Sequence, residues 1–320
     1  MQESLVVLDR VKKQYGLKDK FLKKGKFVRA VDGISLAVNQ GETLGVVGES
    51  GCGKSTLSRL ILGIEAPTEG IVSFDGKDIQ SCGKKELKHI RRSMQAIFQD
   101  PYSSLNPRKK VESILAEPFI IHQICDKKSR FQEILHLLET VGLGAEHAAR
   151  YPHELSGGQR QRVGIARALT LKPKFIVADE PVSALDVSIQ AQIINLLVTL
   201  KEKFSLTYLF IAHDLAVVQN ISDRIVVMYL GRLMEVVSKD HFLDPPQHPY
   251  TKALLEAIPI QDPLERKARS LSYGDSSHYD DTRVGCVFCP RCEYAKPLCR
   301  TTPPALKIAG KNRWIACHLF

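Results

Sequence analysis

Thr43-Leu44-Gly45-Val46-Val47-Gly48-Glu49-Ser50-Gly51-Cys52-Gly53-Lys54-Ser55-Thr56 passes from a short apolar run through a glycine-rich turn into a helical pattern. Strand, glycine loop, helix is an α/β arrangement. Gly48 to Ser55 match the phosphate-binding loop, two glycines at fixed spacing followed by Lys-Ser. Gly48, Gly51 and Gly53 let backbone N–H groups turn inward around phosphates, with Ser50, Cys52 and Thr56 completing the cradle. The helix predicted over Lys54–Leu62 presents its positive end to them. Lys54 is expected to reach the β- and γ-phosphates, and Ser55 to ligate Mg²⁺. The bare pattern arises by chance in a chain this long on the order of one time in a hundred. The flanking strand and helix weigh further against an ordinary glycine turn.

The second half of such a site lies downstream. Phe175-Ile176-Val177-Ala178-Asp179-Glu180 reads as an apolar strand ending in two carboxylates. Asp179 is placed to hold the Mg²⁺, and Glu180 to polarise an attacking water. Tyr208–Ala212 is another apolar run suited to a parallel sheet covered on both faces. Between them Ile189, Ile193, Leu196, Leu197, Leu200 and Phe204 recur at three- and four-residue spacing, which predicts a helix and a βαβ unit. Residues from about 101 to 167 read as a helical insertion. Phe131, Ile134, Leu135 and Leu138 give one apolar face, with Ser129 placed to start that helix, and Gly157–Leu169 reads as another. Beyond about residue 245 proline, histidine and then cysteine rise, so a boundary is placed there: 1–245 as the domain carrying the phosphate loop, 246–320 as a C-terminal extension. The only late helical pattern is Tyr250–Ile258, and His248 and Pro249 read as its capped start.

The 320 residues carry a net charge of +10 and are 44% hydrophobic, enough for a sizeable core. No window approaches the roughly 18 apolar residues of a membrane helix. No secretory signal is read at Met1–Arg10, so the cytosol is the expected compartment. The densest basic cluster, Lys12 to Lys26, lies beside the phosphate site. It lacks the interleaved aromatics of a single-strand nucleic-acid binder. Of eight cysteines, Cys286, Cys289, Cys292, Cys299 and Cys317 crowd into the last tenth of the chain. In a cytosolic protein such a cluster reads first as a metal site.

Leu155-Ser156-Gly157-Gly158-Gln159, lying between the phosphate loop and the Asp-Glu strand, resembles the signature motif of ABC ATPases. Gln99 in Phe98-Gln99-Asp100-Pro101 resembles that family's Q-loop. Ser183-Ala184-Leu185-Asp186 resembles its D-loop, His213 its switch histidine, and Tyr15 the aromatic that stacks on adenine, a place for which Phe27 competes. The resemblance covers roughly residues 4–245. It implies a P-loop α/β core with a mixed sheet and helical insertion. It also implies a dimer in which each ATP lies between one chain's phosphate loop and the other's Ser156, Gly157, Gly158, Gln159 and Asp186. Glu180 would act as general base, His213 would hold the γ-phosphate and the water, and Gln99 would join the Mg²⁺ and pass motion on to membrane subunits.

Asp244-Pro245-Pro246-Gln247-His248-Pro249-Tyr250-Thr251 and the cysteine-rich tail resemble dipeptide/oligopeptide importers and their nickel-importing relatives. That resemblance implies two permease subunits and a second, homologous ATPase chain. It also implies an extracellular substrate-binding protein and a place on the cytoplasmic face of the membrane. Cys286, Cys292, Cys299 and Cys317 would supply the four thiolates of a 4Fe–4S cluster, with zinc or no metal as the alternatives and Cys289 as a fifth candidate. A nucleic-acid or ribosome-associated ATPase is the competing class. No long coiled coil between the two ATPase motifs and no second cassette supports it.

Overall fold

The computed structural model describes residues 3–16, 27–183, 185–245, 247–257 and 284–320. Residues 17–26 of the basic cluster, and Ala184, Pro246 and Ile258 of the motifs above, lie outside the described residues. Strands β1 (Ser4–Gly16) and β2 (Phe27–Asn39) pair antiparallel, with Leu8 opposite Leu36 and Val11 opposite Ile34. All four of these side chains are buried. Next come β3 (Thr43–Val47), α1 (Lys54–Ile61), β4 (Glu69–Phe74), β5 (Lys77–Asp78), α2 (Lys84–Ser93) and β6 (Met94–Ile97). The insertion holds α3 (Pro101–Ser104), α4 (Val111–His122), α5 (Lys127–Thr140) and α6 (Gly157–Leu169). The chain continues through β7 (Phe175–Asp179), α7 (Val187–Phe204), β8 (Thr207–Ile211), α8 (Leu215–Ile221), β9 (Arg224–Tyr229) and β10 (Arg232–Ser238). Last are α9 (Pro249–Glu256), α10 (Pro297–Thr301), β11 (Lys307–Gly310) and β12 (Arg313–Ile315).

Two sheets result. A four-stranded antiparallel sheet has the order β2-β1-β4-β5, and an eight-stranded mixed sheet runs β11-β12-β10-β9-β3-β8-β7-β6. In the larger sheet β9, β3, β8, β7 and β6 are parallel, while β10, β12 and β11 add antiparallel at one edge. All five residues of β3 are buried, as a central strand covered on both faces requires. One face packs Val46, Val177, Leu209 and Val226 against Leu57, Leu60 and Ile61 of α1 and the smaller sheet. The other packs Val47, Ile176, Phe210 and Val227 against α4 to α8.

Two element readings are corrected. Helix α5 is capped by Asp126, whose carboxylate accepts the Ser129 N–H at 3.0 Å, so Ser129 lies inside the first turn. Its buried face is Ile134, Leu137 and Leu138, with the cap three residues earlier than expected, whereas Phe131 is exposed on the first turns of the helix. Phe204 likewise ends exposed at the C-terminus of α7, leaving Ile193, Leu197 and Leu200 as its buried stripe. His248 does cap α9, its Nδ1 accepting the Tyr250 N–H at 3.0 Å.

The segment after residue 245 returns to the cassette. β12 pairs with β10, placing Ile315 opposite Glu235. Arg313 and Glu235, 2% and 0% exposed, form an ion pair at 3.4 Å, and Arg313 also donates to the carbonyls of Asp244 and His241. The Glu235 carboxylate accepts the His248 N–H at 2.9 Å. A buried charge is tolerated only with such partners. Among the described residues no helix is long and apolar enough to cross a membrane.

Candidate active site

The phosphate loop begins where β3 ends. A Cβ on Gly48 would stand 2.1 Å from the Met228 carbonyl oxygen, so no larger residue fits between the loop and β9. Gly53, at the N-cap of α1, has φ 106°, a left-handed conformation that glycine alone adopts without strain. Lys54 is buried. Its Nζ donates to the carbonyls of Gly48 at 2.8 Å and Glu49 at 3.0 Å. Those bonds compensate a buried ammonium until a stronger anionic acceptor takes their place. Cys52 is 3% exposed and burial pushes its thiol up, which describes an inert small residue more than a reactive one.

Asp179 ends β7 beside α1. Its Oδ2 lies 3.3 Å from the Ser58 hydroxyl, while Oδ1 is buried without a hydrogen-bond partner. Burial pushes this carboxyl up, opposed by the hydroxyls of Ser58 and Ser55. A buried orphan carboxylate oxygen beside a serine hydroxyl is hard-oxygen donor chemistry that fits Mg²⁺. Ser58 was not singled out from the sequence, although its place three residues after Ser55 puts both on one helix face.

Glu180 has a left-handed backbone, φ 47°, a conformation that costs a glutamate on the order of 1–3 kcal/mol. It is held there by its N–H to the Ile211 carbonyl at 2.9 Å and by Ser183, whose N–H and hydroxyl both donate to its carbonyl. The bend turns the side chain toward two others. Gln99 Nε2 donates to Glu180 Oε2 at 2.8 Å, and His213 Nδ1 lies 3.4 Å from the same oxygen. Residues drawn from the ends of β6, β7 and β8 thus meet on one carboxylate beside the phosphate loop, outside the carboxyl ends of parallel strands.

Ser156 stands elsewhere. It caps α6, its Oγ accepting the Gln159 N–H at 3.2 Å while Gln159 Oε1 accepts the Ser156 N–H at 3.0 Å. Gly158 packs under Ile189, where a Cβ would come within 2.7 Å, and Gly157 faces Leu185. Gln190 holds the stretch before Asp186 by donating to the carbonyls of Val182 and Leu185. Ser156 and Gly157 are exposed, and Val187 beside Asp186 is 82% exposed. The contacts described for this stretch run to Leu185, to Ile189 of α7 and to His147.

Tyr15 lies near the end of β1 with its hydroxyl donating to Glu65 at 2.5 Å and the Lys13 ammonium 5.2 Å from its ring centre. In the extension, Cys286, Cys289, Cys292, Cys299 and Cys317 line one small cavity with His248 and His318. Burial pushes the Cys286 thiol up to about 11, with Cys299 and Cys317 adding to it. Among the described residues no group of three or more His, Cys, Asp or Glu side chains is arranged to hold a metal ion. The expected 4Fe–4S cluster is therefore not supported as a ligand arrangement, although the five cysteines share one cavity. Two contacts escaped the sequence altogether. Arg291 reaches Glu49 with both guanidinium nitrogens at 2.9 Å, and the Tyr250 hydroxyl accepts the Glu49 N–H at 3.0 Å.

With that geometry in hand, likeness to known proteins is informative. The family described as ABC transporter matches residues 31–183. The family described as oligopeptide/dipeptide transporter, C-terminal region, matches residues 234–299. The oligopeptide transport ATP-binding protein AppF of Bacillus subtilis is 50% identical, covering 100% of this chain and 98% of its own. A probable peptide ABC transporter ATP-binding protein of Sinorhizobium fredii is 46% identical over 100% of this chain and 91% of its own. Among solved structures, a dimeric ATP-binding cassette in a post-hydrolysis state, bound to ADP and Pi, superposes with TM-score 0.66 at 31% identity. It covers 73% of this chain and 98% of that one.

Proposed function

This chain belongs to the ATP-binding subunits of ABC transporters, and from that premise we propose that it is the ATP-hydrolysing motor of a peptide importer. The observation that carries the catalytic part is the meeting of Gln99 and His213 on one oxygen of Glu180, next to the Asp179 carboxylate and the Lys54 loop. The peptide substrate rests on relatives that span the whole chain and on the match at residues 234–299. Nickel or a metal chelate is the alternative cargo.

In this reading Lys54 and the loop around it, from Gly48 to Thr56, bind the triphosphate, with the N–H groups other than that of Glu49 facing the phosphates. Tyr15 packs against the adenine. Ser55, Asp179 and Gln99 would hold Mg²⁺, which when bound supplies neutralisation of phosphate charge. Glu180 orients a water in line with the γ-phosphorus and takes its proton as the water oxygen attacks and the bond to the β-phosphate oxygen breaks. His213 fixes Glu180 and the γ-phosphate. The exposed start of α6, with Ser156, Gly157, Gly158 and Gln159, offers its positive end to the γ-phosphate held by the partner subunit, and Asp186 lies at that seam. Loss of the bridging phosphate lets the two cassettes separate.

In this reading residues 1–245 are the ATPase unit and 246–320 an extension, whose strand β12 pairs with β10. The unit works on the cytoplasmic face, bound to two permeases, with a substrate-binding protein outside and no nucleic acid. A four-cysteine metal site at Cys286, Cys292, Cys299 and Cys317 is the finer reading of the extension, supported by their shared cavity. The test is reconstitution of the transporter in vesicles with its binding protein. Short peptides should stimulate ATP hydrolysis severalfold. Stimulation by a nickel salt alone would redirect the cargo, and stimulation by RNA or DNA would overturn the transport reading.

A further inference from the structure

Glu49 is the second residue of the phosphate loop, and it is the one most tightly held from outside. Its carboxylate is gripped by both terminal nitrogens of Arg291, each at 2.9 Å. Its N–H donates to the Tyr250 hydroxyl at 3.0 Å, so that N–H points away from any phosphate. Only its carbonyl faces Lys54. Both outer contacts come from residues more than 200 positions downstream.

Arg291 is itself fixed. It ends the single turn Cys289–Arg291, its guanidinium lies 5.7 Å from the Tyr229 ring centre and 5.9 Å from that of Phe288, and Nη1 approaches the Tyr229 hydroxyl at 3.4 Å. Phe288 is 4% exposed and packs edge-on against Tyr229 and tilted against Tyr250. The Arg291 side chain is only 16% exposed and that of Glu49 29%. A bidentate, half-buried pair has the geometry in which an Arg–carboxylate bond acts as a fixed joint, unlike a loose surface pair.

We infer that Arg291 is a positioning residue for the nucleotide reaction: it neutralises and immobilises Glu49 so that the phosphate loop can receive a polyanion. The physical need is plain. A carboxylate one residue into an anion-binding loop repels the triphosphate unless a cation covers it. When Lys54 leaves the Gly48 and Glu49 carbonyls for phosphate oxygens, the loop loses two of its internal bonds, and the contacts from Arg291 and Tyr250 keep the Glu49 peptide in register. The inference rests on the reading of this loop as the ATP site.

The test is ATP titration of the purified full-length chain, with thermal melting in parallel. Lys54→Ala serves as the reference and should lose ATP binding; if it does not, the ATP-site reading fails and this inference with it. Arg291→Ala should weaken ATP binding roughly tenfold, within the usual range of coupling between two sites. Arg291→Lys should recover part of that, since one ammonium spans only one carboxylate oxygen well. Adding Glu49→Gln to Arg291→Ala should recover most of the loss, because no unpaired carboxylate then faces the phosphates. Wild-type affinity in Arg291→Ala, with Lys54→Ala defective, would overturn the inference alone. A weakened Arg291→Ala that melts lower and gains nothing from Glu49→Gln would also overturn it, reducing Arg291 to a prop of the fold.

Discussion

Glu180 combines a strained backbone with two side chains aimed at one of its oxygens. Replacing it by glutamine keeps the shape and the hydrogen bond from Gln99 but removes the proton acceptor. Glu180→Gln should retain ATP binding while turnover falls by roughly 10²- to 10⁴-fold, and an ATP-bound dimer should accumulate on size-exclusion chromatography. A near-wild-type rate in the assembled transporter would remove the role of general base. These residues were legible in the sequence because each sits at a strand end beside a short motif: Gln99 after β6, Glu180 after β7, His213 after β8. The hydrogen bond that joins them was not, since it depends on the left-handed turn at Glu180, and nothing in Ala178-Asp179-Glu180-Pro181 signals that turn. Ser58 lay within reach of helical spacing from Ser55. Arg291 did not, because its partner is 242 positions away and a lone arginine among cysteines carries no local pattern.

At the scale of elements, β3, α1, β7 and β8 were readable from apolar runs of strand length and from the glycine loop. The start of α5 was misjudged by three residues because Asp126 outcompetes Ser129 as a cap; a carboxylate accepts the first-turn N–H groups and meets the helix dipole favourably. Asp126→Ala should cost about 1 kcal/mol. The return of β12 to the edge of the main sheet had no sequence signal, as Arg313–Ile315 is too short for any periodicity. What holds it is the buried pair of Arg313 with Glu235. Arg313→Ala strands a carboxylate that is 0% exposed, so it should destabilise the chain by roughly 3–5 kcal/mol in denaturant unfolding. A cost below about 1 kcal/mol would show that water or a rearranged edge strand rescues Glu235. For the cysteines, metal analysis of anaerobically purified protein separates the readings. Roughly four irons per chain and broad absorption near about 400 nm support the cluster. About one zinc per chain points to a four-thiolate zinc site, and a metal-free chain with an intact extension removes the site.

The whole molecule presents an exposed helix cap at Ser156 and an exposed seam at Asp186 and Val187, which suit a partner cassette. We expect that partner to be a second, homologous chain. Mass analysis of the intact purified transporter should show two distinct ATPase polypeptides, and a single one would refute the expectation. The net charge of +10 is compatible with a nucleic-acid role; the family matches at residues 31–183 and 234–299 argue instead for a motor driving transport. The grip of Arg291 on Glu49 also has a meaning in time. The phosphate loop hangs from β3, which needs β8 and β9 as neighbours, so it forms only once Tyr229 is made; a ribosome adding roughly 5–20 residues per second then reaches Arg291 roughly three to twelve seconds later. Through that interval the nascent cassette would have its loop but not its clamp and, on the role inferred for Arg291, would hold nucleotide weakly. Commitment to ATP, and with it to pairing with another cassette, would thereby be postponed until synthesis is nearly finished. Nucleotide capture by chains stalled just before and just after Arg291 clears the exit tunnel would register that step, and a half-made motor would be kept from idling on the ribosome.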